Sequence, residues 1–255
     1  VIGGGASYFL APLIGTAIAA YGGWRGSFIW LALPTIVFGL FFYALLRRRG
    51  NGHGAGAEAP SSSGLDAHVE ISAGNLAVFI FLSTFTGAVI FAVISFVPLF
   101  LVDQFGFAKE RAGAFFAAIY SAGLWVSPIG GYLSDRWGRI PVILGVCLLA
   151  GPVIYALQWA PGQWGILVLL LILGIIIYVR MPVSESYIIR HTSPGSRSTV
   201  LGLYYFGSME GGGILTPVAG YLIDHYGFGA SFTAAGVLIL TVTLLCAFLL
   251  RRSRD

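Results

Sequence analysis

The sequence predicts an all-α membrane protein with eight transmembrane helices built from inverted three-helix repeats. Three observations carry this reading. The composition suits lipid rather than water, the apolar runs have helix length, and a Pro/Gly/aromatic pattern recurs at every third run.

Hydrophobic residues make up 57% of the 255 residues and charged residues 9%. Soluble domains average about 25% charged, so this chain lacks the charge to cover a water-soluble globule. The net charge of +4 does not indicate nucleic-acid binding, because the basic residues lie in short loops between apolar runs. Cys147 and Cys246 lie in separate apolar segments and read as small buried hydrophobes. The first run lacks a charged leader and is not a signal-peptide pattern; it reads as a helix entered partway along.

The apolar segments are 1–21, 26–46, 76–102, 111–133, 140–159, 164–189, 199–223 and 229–250. A helix needs roughly 20 apolar residues to cross about 30 Å of hydrocarbon. Barrel strands are about half that length and alternate with period two, which these runs do not. Residues 50–74 are rich in Gly, Ala and Ser and read as a flexible aqueous linker. The expected organisation is two helices ending one bundle (1–48), a cytoplasmic linker (49–74) and a six-helix bundle (75–255).

Basic residues orient the chain. One set of loops carries ten: Arg47, Arg48, Arg49, Arg136, Arg139, Arg190, Arg197, Arg251, Arg252 and Arg254. The alternate set carries three, Arg25, Lys109 and Arg111. The first set, and with it the C-terminus, is therefore expected on the cytoplasmic side of an inner or plasma membrane. Trp24, Trp159 and Trp164 then fall at the outer interface and Trp137 at the inner one.

Three helix ends share one pattern. Pro12 precedes Gly15 and the pair Tyr21-Gly22; Pro128 precedes Gly131 and Trp137-Gly138; Pro217 precedes Gly220 and Tyr226-Gly227. Each Pro stands three residues before its Gly and nine before its aromatic residue. The ends belong to the first, fourth and seventh segments, so the unit is three helices and neighbouring units are inverted. Nested repeats of this kind characterise alternating-access transporters. The first segment then corresponds to the fifth of six helices in its bundle, and four preceding helices are expected as partners from the same protein.

The stretch Gly131-Tyr132-Leu133-Ser134-Asp135-Arg136-Trp137-Gly138-Arg139 resembles the loop signature of the major facilitator superfamily, Gly-x-Leu-Ala/Ser-Asp-Arg-x-Gly-Arg. Ile140 departs from it, where a second basic residue is common. Residues 21–28 resemble the family's turn between its fifth and sixth helices. The resemblance covers essentially the whole chain and implies the C-terminal eight of twelve helices. It implies that the loop acts as a latch stabilising one access state. In physical terms, Gly131 and Gly138 suit close approach and a tight turn. Asp135 suits an Arg or helix-end partner, and Arg136 and Arg139 suit the anionic inner leaflet. Ala11-Pro12-Leu13-Ile14-Gly15-Thr16 partly resembles the family's antiporter motif, Gly-Pro-x-x-Gly-Gly. A small-residue packing face serves equally well there and at Pro217 and Gly220.

Arg180, Glu185 and Glu210 lie inside apolar runs. Charges at that depth cost about 2.5–3.5 kcal/mol on insertion scales and are candidates for function. Arg180 stands about 15 Å from Arg190 along a helix, near the midplane. Coupling of Glu210, as proton carrier, to Arg180, as its counter-charge or as an anion ligand, is the working expectation. Gly211, Gly212, Gly213 and Pro182 are expected to loosen the helices beside these charges. Tyr120, Trp125, Tyr178 and Tyr204 are cavity-lining or packing residues. No nucleotide-binding loop is present, and the four His lie in loops or at helix ends, against an intramembrane enzyme or metal site. The expectation is a secondary transporter without cofactor or metal, for a small organic solute. Proton-coupled export leads; uptake of an organic anion, a channel and a sensor are the alternatives.

Overall fold

A computed structural model describes residues 73–252 throughout, together with 32–45 and positions 10, 14, 15, 18, 23, 25, 26, 29 and 30. The chain divides into two compact units, Ala11–Ala67 and Val1–Leu10 with His68–Asp255. Among the described residues all regular structure is helical. Pro12, Trp24 and the expected linker up to residue 72 lie outside them.

In the smaller unit, helix α1 (Ala32–Leu45) is apolar and exposed on every side, with Ile36, Phe38, Phe41 and Phe42 all outward. A helix apolar all round belongs in lipid or a large core.

The larger unit holds α2 (Ala73–Phe105), α3 (Lys109–Ser121), α4 (Val126–Trp137), α5 (Arg139–Ala156), α6 (Gly162–Arg190) and α7 (Arg197–Arg252). Helices α2, α5, α6 and α7 are long and apolar enough to cross a membrane, and α3 with α4 forms a further, bent candidate. Pro98, Pro152, Pro182 and Pro217 lie within these helices, a placement membrane helices tolerate better than soluble ones.

Two predicted boundaries differ from the structure. The segment 111–133 is two helices, α3 and α4, set at 54° across a 3₁₀ turn at Ala122–Leu124. Pro128 falls in the first turn of α4, where a missing amide N–H leaves no bond unmade. The loop expected between 223 and 229 shrinks to one residue: Gly227 alone leaves the helical region, with φ 81° and ψ 170°. That conformation is open essentially to glycine only, so the chain turns without a loop. The arms 197–226 and 228–252 are called α7a and α7b.

Side-chain pairs give the helix directions. A Cβ on Gly207, Gly211 or Gly220 would meet Thr84, Ala88 or Phe96, so α7a runs parallel to α2. Gly151 meets Gly236, and Gln158 Nε2 donates to Thr233 Oγ1 at 3.0 Å, so α7b runs antiparallel to α5. Phe79 stacks on Tyr187 at 3.9 Å and Ser83 bonds Ser184, so α2 and α6 are antiparallel. Gly207, Gly211, Gly212 and Gly220 of α7a are thus close-approach positions against α2 rather than loosened turns, whereas Gly202 and Gly213 face open space.

The core has two clusters. One gathers Phe100, Phe228, Phe232, Ile166 and Leu170; the other gathers Phe79, Leu82, Ile143, Tyr178 and Tyr187. The outer faces remain apolar, with Phe81, Leu203, Phe206, Ile214 and Phe248 exposed. Trp159 and Trp164 are exposed at the start of α6, and Trp137 is exposed at the α4–α5 turn.

Candidate functional site

Arg180 is the one buried charge among the described residues, at 6% exposure. It sits on α6 one turn past Ile176. Its Nη1 donates to the Ser83 carbonyl at 2.7 Å, to Ser83 Oγ at 3.0 Å and to Tyr204 OH at 3.4 Å. Ser83 and Ser184 are fully buried, and their hydroxyls lie 2.6 Å apart. The guanidinium reaches a helix backbone because Gly87 leaves room: a Cβ there would lie 2.8 Å from Nη2. Three helices, α2, α6 and α7a, therefore converge on one cation through neutral oxygens.

No carboxylate joins them. Asp135 pairs instead with Arg139, away from this site. Glu185 is half-buried and accepts a hydrogen bond from Tyr205 OH at 2.7 Å. Glu210 is exposed, without a hydrogen-bond or ion-pair partner among the described residues. The structure does not bring Arg180 and Glu210 together. The reason is helical phase: Tyr204 faces Arg180, and six residues on, Glu210 points about 120° away from it. Ser83 and Gly87 were invisible to sequence reasoning, since small residues in an apolar run give no sign of what they face. Tyr204 was legible only as one of many aromatics.

The signature loop closes the other site. Helix α4 ends at Trp137, and Gly138, with φ 86° and ψ 153°, turns the chain into α5. Ser134 is buried and its hydroxyl donates to the Gly131 carbonyl at 2.8 Å. Leu133 packs on the second core cluster, while Arg136 is exposed. Close helix approach falls on Gly130, whose Cβ would lie 3.1 Å from Val179 Cα; Gly131 has open space around it. Asp135, 76% exposed, stands 3.9 Å from Arg139, 17% exposed. Pro217 is exposed on α7a, and Gly220 packs on Phe96. Gly15 is helical and half-buried.

Beside this loop lies a cleft of about 350 Å³ whose wall includes Asp135, Arg139, Tyr187, Arg190 and His191. His191 Nδ1 lies 2.8 Å from the Tyr187 carbonyl. A carbonyl only accepts, so Nδ1 carries the hydrogen. Burial holds the His191 imidazole below its usual range; the Tyr187 bond opposes this, and the Arg139 and Arg190 charges add to it. No group of three or more His, Cys, Asp or Glu suited to a metal occurs among the described residues.

Comparison with known proteins agrees with these features. The Major Facilitator Superfamily family model matches residues 1–177 and, in an overlapping second match, 79–255. The Multidrug resistance protein MdtG of Escherichia fergusonii is 32% identical over 170 residues, covering 63% of this chain and 41% of that protein. Proteins of the same name from Escherichia coli O1:K1 / APEC and Escherichia coli K12 / DH10B match with the same identity and coverage. The chain thus covers about two fifths of the length of the curated relatives it matches. With the family model matched from end to end, the chain belongs to the Major Facilitator Superfamily.

Proposed function

We propose that this chain forms the C-terminal eight helices of a twelve-helix secondary active transporter that exports a small organic solute in exchange for protons by alternating access. Residues 1–48 would end the first bundle, 49–74 would form the cytoplasmic linker, and 75–255 would form the second bundle of two inverted three-helix repeats. The observation carrying this reading is Arg180, a guanidinium buried in apolar helices with neutral partners only. A guanidinium does not shed its proton, and a charge at that depth is retained for function. Glu210, exposed on α7a without a counter-charge among the described residues, is the proton carrier. The name of the relatives, multidrug resistance protein, supports export of organic solutes. The signature loop, with Gly131, Leu133, Ser134, Asp135, Arg136, Gly138 and Arg139, serves as the conformational latch.

Uptake of an organic anion is the second reading, favoured by the same uncompensated Arg180 charge. The full-length protein in proteoliposomes separates the two. Saturable counterflow of lipophilic organic solutes, driven by an imposed proton gradient, supports exchange. Counterflow restricted to organic anions supports the alternative, and flux without counterflow indicates a channel. An unchanged rate and pH dependence in Glu210→Gln would end the proton-carrier role.

A further inference from the structure

The cleft beside the α4–α5 turn is separate from Arg180 and plays no part in solute binding as proposed above. Its volume of about 350 Å³ exceeds that of a few waters, each taking about 30 Å³ of liquid. Its wall is unbalanced in charge. Arg139 and Arg190 bring two guanidinium groups against the single carboxylate of Asp135. That carboxylate is mostly solvated and 3.9 Å from its partner, a geometry that neutralises weakly. Arg139 Nε is buried and has no hydrogen-bond partner among the described residues. Arg139 opens α5 and Arg190 closes α6, so the fold gathers a basic pair that is 51 positions apart in sequence. Trp137 and Pro141 give the same cleft an apolar flank.

The geometry points to a phosphate-binding site in this cleft, with one phosphate group held between Arg139 and Arg190. Guanidinium forks match the paired oxygens of phosphate, and basic pockets between membrane helices hold phosphate headgroups. The ligand chemistry is shared by an anionic lipid headgroup and a soluble phosphate.

The full-length protein tests this in two arms. In nanodiscs of mixed phosphatidylglycerol and phosphatidylcholine, native mass spectrometry reads the phosphatidylglycerol retained. In nanodiscs of phosphatidylcholine alone, calorimetric titration reads inorganic phosphate binding. The wild type binds in at least one arm, and Arg139→Gln weakens that binding about tenfold or more. Arg190→Gln does the same, and because Arg190 is exposed at a helix end, its melting transition stays near wild type. Arg111→Gln, at the opposite end of the bundle, leaves binding unchanged. Binding in the first arm alone assigns a lipid, and binding in the second arm alone assigns soluble phosphate. Absence of binding in both arms, or equal binding by wild type and Arg190→Gln, overturns the site.

Discussion

Arg180 and Ser83 meet twice, since one guanidinium nitrogen donates to both the backbone carbonyl and the side-chain hydroxyl of the serine, at 2.7 and 3.0 Å. The same hydroxyl lies 2.6 Å from that of Ser184. Ser83 therefore ties the α6 cation to α2 and satisfies a second buried hydroxyl.

Ser83→Ala leaves Ser184 without this partner inside the bundle, which costs about 1–3 kcal/mol. Ser184→Ala alone costs less, because Arg180 still holds Ser83. The double variant should be less destabilised than the sum of the singles, since the two act through one bond. Thermal unfolding of the full-length protein in detergent measures all three; strict additivity would show that the serines are independent.

Glycines in this bundle divide by what stands next to them. A Cβ on Gly151 would lie 2.8 Å from the Gly236 carbonyl, a backbone atom that cannot swing aside. Gly151→Ala should destabilise by about 1–3 kcal/mol, as overpacking does. Gly213 faces open space within a helix, so Gly213→Ala should be stabilising by about 0.5–1 kcal/mol. Opposite signs for the two in one melting experiment are the expected result.

Gly138→Ala and Gly227→Ala test the two turns. Both positions have positive φ with extended ψ, where a side chain costs about 1–3 kcal/mol. Both variants should melt earlier than wild type. Only Gly138→Ala should also slow counterflow, because it lies in the loop assigned as the latch.

His191 gives stability a pH dependence. Its imidazole is held below the usual range by burial and by the Arg139 and Arg190 charges. The unfolded chain therefore takes up this proton first as pH falls. The stability it contributes is whole above about pH 6.5 and is lost as pH drops through the lower, folded value. The groups facing it are Asp135 from α4, Arg139 from α5, and Tyr187 and Arg190 from α6. The melting point of the wild type should fall between pH 7.5 and 5 more steeply than that of His191→Gln. Parallel curves would remove His191 from the account.

Much of the fold was legible because lipid imposes length and apolarity together. The runs that became α2, α5 and α6 could be bounded to within a few residues, and the Gly138 turn followed from its spacing. The facing of residues was not legible. Glu210 and Tyr204 are six positions apart on one apolar helix, and only packing on α2 and α6 decides which of them meets Arg180. Ser83 and Gly87 are ordinary small residues until a guanidinium is placed against them. The one-residue turn at Gly227 was hidden because the Tyr226-Gly227 pair marks a helix end without fixing how many residues follow it.

That turn leaves the chain no slack. Each α-helical residue advances the helix by about 100°, and no loop stands between α7a and α7b to absorb a change in phase. One residue inserted after Gly227 would swing Phe228 and Phe232 off Phe100, and Gly236 off Gly151. This hairpin is therefore a poor place for an epitope tag or a reporter insertion, although connections between membrane helices ordinarily accept them.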